Sequence, residues 1–176
     1  MTRGFHCLFG ALLSLSSWLC APAWSQVAAD VSAPAEQRPA VLRTANGLPQ
    51  VEVRTPNTAG VSRHRFSQFD VPASGVILNN SRSTQIDGMD VITLNRNLRD
   101  GPARIILNEV NAPQASLLQG PVRVAGARAE VIIANPAGIT CNGCGFVNAS
   151  RALLTTGQVQ AAPGGLPTFS VQQGTV

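Results

Sequence analysis

Two cysteines three positions apart, Cys141 and Cys144, are the residues of this chain best spaced for covalent chemistry. Asn142 and Gly143 between them form turns readily, so a tight disulfide is feasible. A redox-active pair is the sharper alternative, and it needs its first cysteine at a helix N-terminus to lower the thiol pKa. Here Gly138-Ile139-Thr140 precedes the pair and Gly145-Phe146 follows, with no helix start. Zinc ligation is a third option, but His64 is the one histidine beyond residue 25 and has no second ligand pattern near it. The carboxylates available to an enzyme are Asp87, Asp90, Asp100, Glu109 and Glu130. Asp87-Gly88-Met89-Asp90 sets two acids around a glycine, where a turn points them in different directions. Paired catalytic carboxylates need a controlled separation and one raised pKa, and the spacing demonstrates neither. Serine-nucleophile, metal and phosphate-loop signatures are missing from the sequence. The expectation is a non-enzyme with no catalytic residue, no metal and no cofactor.

The elements that would position such residues begin after a removable leader. Residues 1–25 carry one positive charge at Arg3, an apolar run from Leu8 to Leu19, and small residues at Ala21, Ala23 and Ser25. That is the layout of a secretory signal peptide cleaved between Ser25 and Gln26. Its apolar core of roughly 12 residues is too short for a bilayer, which needs about 20. Cys7 and Cys20 leave with it, and the remaining pair meets an oxidising compartment, where a disulfide is expected. The 13 basic residues outnumber 9 acidic ones and are all arginine; beyond Arg3 they are scattered from Arg38 to Arg151 without aromatic interleaving, so nucleic acid is not an expected partner.

From Gln26 to about Gln50 the chain is rich in Ala, Pro and Gln without periodicity, and it reads as an extended leader. Beyond it, four runs share one form: VILNN (76–80), VITLN (91–95), IILN (105–108) and VIIAN (131–135). Further strands read at VEV (51–53), PVRVAG (121–126), RALLTTG (151–157) and TFSVQQG (168–174), the last as another rung. The 28 glycines and prolines leave no window for a substantial helix. Asn79, Asn80, Asn95, Asn108 and Asn135 read as turn residues, because asparagine tolerates left-handed backbone and bonds its own turn. In stacked coils their amides are expected to lie above one another and pair between rungs. Their separations are irregular, so a stacked coil and an up-and-down sandwich both remain open on spacing alone.

The order and content of these runs resemble a known family. TPNTAGVSRHRFSQFDVPASGVILNNS (55–81) looks like the opening of the two-partner secretion domain, or haemagglutination activity domain, of filamentous-haemagglutinin-type exoproteins. GPARIILNEVNAPQASLLQGPVRVAGARAEVIIANPAGITCNGCGFVNASRALLTTG (101–157) resembles its heart. Two short family signatures are Asn-Pro-Asn-Leu and Asn-Pro-Asn-Gly-Ile. The first here reads Asn95-Arg96-Asn97-Leu98, and the second Asn135-Pro136-Ala137-Gly138-Ile139. Arginine replaces a fixed-φ proline, and alanine removes one side-chain hydrogen bond.

The resemblance implies an all-β, right-handed parallel β-helix with N-terminal capping strands, its domain spanning 51–176 and incomplete at the C-terminal end. It implies passage through the general secretion translocon and capture in the periplasm by an outer-membrane β-barrel two-partner transporter with periplasmic polypeptide-binding domains. The product would reach the cell surface or medium of a Gram-negative-type cell and serve adhesion, with the host-surface receptor unknown. The signature residues Asn95, Asn97, Leu98, Asn135, Pro136, Gly138 and Ile139 would act in transporter recognition or in folding. Two other readings stay open: the N-terminal part of a contact-dependent growth-inhibition exoprotein, and a secreted β-helical polysaccharide-active enzyme.

Overall fold

A computed structural model describes residues 26–88, 90–161 and 164–171. The expected signal peptide, with Ser25 of its cleavage site, lies outside the described residues. In chain order the strands are β1 (Val27–Ala29), β2 (Val41–Arg43), β3 (Pro49–Glu52), β4 (Val61–Phe69) and β5 (Val76–Asn80). There follow β6 (Gln85–Asp87), β7 (Asp90–Ile92), β8 (Ile105–Val110), β9 (Ser116–Leu118), β10 (Pro121–Gly126) and β11 (Ala129–Ala134). The last are β12 (Ile139–Cys141), β13 (Gly145–Val147), β14 (Ala149–Thr155), β15 (Gln158–Ala161) and β16 (Pro167–Ser170). Two single 3-10 turns, Ala35–Gln37 and Arg96–Leu98, are the only helical pieces among the described residues.

The chain winds through three sheets in a fixed sequence, which makes it a parallel β-helix. The first sheet has the order β1-β4-β8-β11-β14 and the second β13-β10-β5-β3-β2. A short third sheet joins β9 to β12 and continues through a Val71–Leu118 bridge. Register shows the coils stacking in parallel. Val61 pairs with Ile105, Ile105 with Glu130 and Glu130 with Arg151, so the last two coils take 25 and 21 residues. The first coil takes 44 because it carries the β6–β7 hairpin. The sandwich alternative is thereby excluded, since β4, β8, β11 and β14 all run the same way.

Alternation along each strand sends one set of side chains into the coil and the other outward. The interior holds Phe66, Val71, Leu78, Ile106, Val110, Leu118, Val124, Val131, Ile133 and Ile139, all buried. Phe66 and Phe69 meet edge-on with ring centroids 4.9 Å apart. Both large sheets also bury an outer face, because each is covered by an antiparallel hairpin. Ile92 of the β6–β7 hairpin packs with Ile77 and Ala125 of the second sheet. The β15–β16 hairpin lays Val159 and Phe169 on Val61, Leu107 and Ile132 of the first. Its tip reaches the loop before β4, where Asn57 Nδ2 donates to the Gly165 carbonyl at 3.2 Å.

Two readings of the sequence are corrected here. Residues 26–50 are folded rather than extended, with β1 antiparallel to β4 and β2 antiparallel to β3. They supply the capping strands of the N-terminal end, and the Gln26 carbonyl accepts the Asp70 N–H at 3.0 Å. Thr168–Ser170 is not another rung: it turns back onto β15 as the outer arm of a hairpin.

Candidate functional site: the asparagine turns

At the corner leaving the first sheet, Asn135 closes the turn in four ways. Its carbonyl accepts the Gly138 N–H at 2.9 Å, and its own N–H donates to the Thr155 carbonyl of the next coil at 3.0 Å. Its Oδ1 accepts the Ala137 N–H at 2.9 Å. Its Nδ2 donates to the Gln114 carbonyl at 3.1 Å and to Ser116 Oγ at 3.0 Å. Ala137 keeps a negative φ, since Asn148 is the only non-glycine residue at positive φ among those described. With asparagine first, proline second and glycine fourth, this is the composition of a type I turn. Gly138 sits at φ +123°, where a side chain is strained, and Ile139 then drops into the core at 3% exposure.

The Asn95 turn repeats the arrangement. Asn95 Oδ1 accepts the Asn97 N–H at 3.0 Å, and its carbonyl accepts the Leu98 N–H at 3.2 Å. Its Nδ2 donates to the Val53 carbonyl at 2.7 Å and the Asn79 carbonyl at 2.8 Å. Leu98 is buried beneath it. Arg96 occupies the position of Pro136 without disturbing the turn, so the asparagine side chain, not proline's fixed φ, is the common element. Asn97 Nδ2 adds a bond to the Val53 carbonyl at 3.1 Å, and Ala137 has no amide to match it. The two turns share no hydrogen-bond partner; Asn95 closes onto the first coil and Asn135 onto the later ones.

The remaining asparagines divide. Asn79 and Asn80 end β5. Asn79 Oδ1 accepts the Ser81 N–H at 3.2 Å, and Asn80 bridges the Ala103 and Ala127 carbonyls at 2.8 and 2.9 Å. Asn108 is a correction: it lies inside β8, facing the interior, and is not a turn residue. Its Nδ2 donates to the Ile132 carbonyl at 3.2 Å and its Oδ1 faces His64 Nδ1 at 3.1 Å. The expected amide ladder is also corrected. These amides reach the backbone carbonyls of neighbouring segments, because corner carbonyls inside the coil have no strand partner and must be satisfied.

His64, which no ligand pattern in the sequence accompanies, is fully buried. Its Nε2 accepts the Arg54 N–H at 3.1 Å and lies 2.9 Å from Ser62 Oγ. With Nε2 accepting, the proton sits on Nδ1 and donates to Asn108. Burial pushes the ring pKa down to about 4, with the Arg54 charge adding to it and the Asn108 bond opposing. The interval between His64 and Asn108 is 44 residues, one coil plus its hairpin, which no local pattern reveals.

Cys141 and Cys144 are joined by a disulfide with Cα atoms 5.3 Å apart, between β12 and β13. The Asn142 N–H docks this loop onto the Leu118 carbonyl of the previous coil at 2.8 Å. The acids serve separate structural contacts. Glu109 pairs with Arg63 at 2.6 Å, Glu130 with Arg151 at 2.6 Å, and Asp87 with Arg123 at 3.6 Å. Asp90 is buried and accepts the Asn46 side chain at 2.9 Å. Among the described residues no group of three or more His, Cys, Asp or Glu is placed to hold a metal ion.

Residues 25–176 match the model of the TPS secretion domain family. Toxin CdiA of Yersinia pestis is 51% identical over 157 residues, covering 88% of this chain and 5% of that protein. The tRNA nuclease CdiA-2 of Burkholderia pseudomallei is 44% identical over 160 residues, again 88% and 5%. The chain thus spans about a twentieth of the length of these curated relatives. Among solved structures, the filamentous hemagglutinin secretion domain superposes with a TM-score of 0.74 at 36% identity, over 84% of this chain and 48% of that one.

Proposed function

The chain belongs to the TPS secretion domain family, and from that premise we propose that it is the export-targeting segment of an exoprotein of filamentous-haemagglutinin type. Residues 1–25 hand it to the general secretion translocon. In the periplasm an outer-membrane β-barrel transporter takes the unfolded segment through periplasmic polypeptide-binding domains and delivers it to the surface or medium. An extended chain that adds to a partner's sheet edge gains backbone hydrogen bonds with little side-chain reading, which suits a segment so rich in short strands. The asparagine turns then close the coils outside. The family match over residues 25–176 is the observation that carries this reading.

The test is secretion with and without the cognate barrel, for wild type and for Asn135→Asp and Asn97→Asp. A carboxylate at 135 faces the Gln114 carbonyl with no proton to donate, so both Nδ2 bonds are lost in a buried site. Barrel-dependent appearance of wild type in the medium, reduced in the variants, is expected; equal amounts in every lane contradict the proposal.

A second reading concerns the cargo rather than the segment. Relatives named as a toxin and as a tRNA nuclease are 51% and 44% identical, against 36% for the filamentous hemagglutinin domain, which supports a contact-dependent growth-inhibition exoprotein as the second reading. The nuclease name belongs to those far longer proteins, and targeting rather than catalysis is the role proposed for this segment. Co-culture of producing and non-producing cells separates the two: growth arrest of neighbours indicates toxin delivery, and aggregation without arrest indicates adhesion.

A further inference from the structure

The arginines that look scattered along the chain are not all scattered in space. Arg82, on the loop after β5, meets Arg96 and Arg99 of the Asn95 turn around a cleft of about 310 Å³ that Leu94 and Leu98 complete. All three arginines are exposed, and none makes an ion pair among the described residues, where Arg63, Arg123 and Arg151 each hold a carboxylate. Asp100 follows Arg99 and is exposed, yet pairs with none of them. Arg82 is held over the turn by donating its Nη2 to the Arg99 carbonyl at 3.0 Å. Asn95, at the cleft floor, has its amide fully committed to Val53, Asn79 and Asn97. The guanidinium groups therefore line the cleft with donors to spare and no carboxylate partner among the described residues.

We propose that this cleft binds a phosphate group. Planar guanidinium forks match tetrahedral oxyanions two bonds at a time, and three in one concavity also repel each other until an anion arrives. The half-exposed Leu94 (49%) at the rim fits a phosphate carried on an apolar body, as in a lipid headgroup, better than the free ion alone.

The experiment uses the purified exported chain with inorganic phosphate, against chloride at equal ionic strength, following arginine Nε–H signals by NMR. Vesicles of phosphatidylglycerol in phosphatidylcholine, against phosphatidylcholine alone, form the second arm. Saturable shifts at Arg82, Arg96 and Arg99 with phosphate are expected. The phosphate dissociation constant, taken from those signals in the wild type and from calorimetry in every protein, should rise at least tenfold in the R82Q/R96Q/R99Q variant and stay unchanged in R43Q, at an exposed arginine that does not line the cleft. Matching circular dichroism melts for all three proteins establish that the fold is intact. Vesicle binding lost in the triple variant identifies the lipid headgroup as the source; phosphate binding without vesicle binding identifies the soluble ion. No effect of phosphate beyond chloride, or equal binding by the triple variant, overturns the proposal.

Discussion

Acidification should weaken this domain through a single buried ring. His64 is fully enclosed, with Nε2 occupied by the Arg54 N–H and Nδ1 by Asn108. A second proton would turn Nε2 into a donor facing a donor, in a site with no carboxylate to offset the charge. Its pKa lies at about 4 in the folded chain, against about 6.5 for a free histidine. The folded value is depressed, so the unfolded chain takes up the proton first. The ring's contribution is whole above about pH 6.5, declines as pH falls toward about 4, and declines no further below that. Integrated between those limits, the loss is about 3 kcal/mol, a large share of the roughly 5–15 kcal/mol that holds a typical domain together. The assay is urea unfolding from pH 7.5 to 4, followed by far-ultraviolet circular dichroism because Trp18 and Trp24 fall within residues 1–25. His64→Gln is the comparator: it keeps an amide within reach of both partners and removes the titration. The variant should start less stable at pH 7.5 and close the gap by about 3 kcal/mol at pH 4. Parallel profiles for the two proteins would refute the assignment.

Three further outcomes follow from the coil geometry. Gly126→Ala places a Cβ 2.5 Å from Ser81 Cα and 2.7 Å from the Asn80 carbonyl at φ +83°, and should cost about 2–4 kcal/mol in chemical denaturation. Replacing Cys141 and Cys144 together by serine opens a four-residue loop, with an expected loss of roughly 2 kcal/mol on the chain-entropy model and faster amide exchange confined to β12 and β13. Ala137→Asn restores the amide that Asn97 uses in the sister turn and should raise stability by about 0.5–1 kcal/mol; a decrease would show that the two corners are not equivalent.

Much of the rung structure was legible because it is local. VILNN and PVRVAG coincide with β5 and β10, and the Asn-Pro turn ends β11 where the apolar run stops. The close cysteine pair sits where two turn residues allow a bridge. What stayed hidden depends on partners far along the chain. β4, the longest strand, mixes His, Arg and Ser with its apolar residues, and only Asn108 one coil away makes His64 acceptable in a core. Asn108 looked like its neighbours in type but sits mid-strand, since a strand's end is set by where the coil turns and not by the asparagine. Val27–Ala29 is too short to announce itself, and its pairing partner lies some forty residues downstream. The two hairpins and the arginine cleft arise from the same kind of closure at a distance.

The β15–β16 hairpin changes what kind of object this solenoid is. A pile of coils touches only its nearest neighbours and is free to fray from either end, one layer at a time. Here a clasp from beyond the last coil fastens beside the first, with Asn57 and Gly165 separated by 108 positions. Undoing any layer then strains the fastening, so the whole assembly should melt as one unit. The same clasp delays completion: nothing can lock until residues near 165 have arrived, and so remote a closure is slow. On the proposed route, in which the chain crosses the outer membrane unfolded, that delay would gain it time, and the coils become hard to pull apart once this loop is fastened.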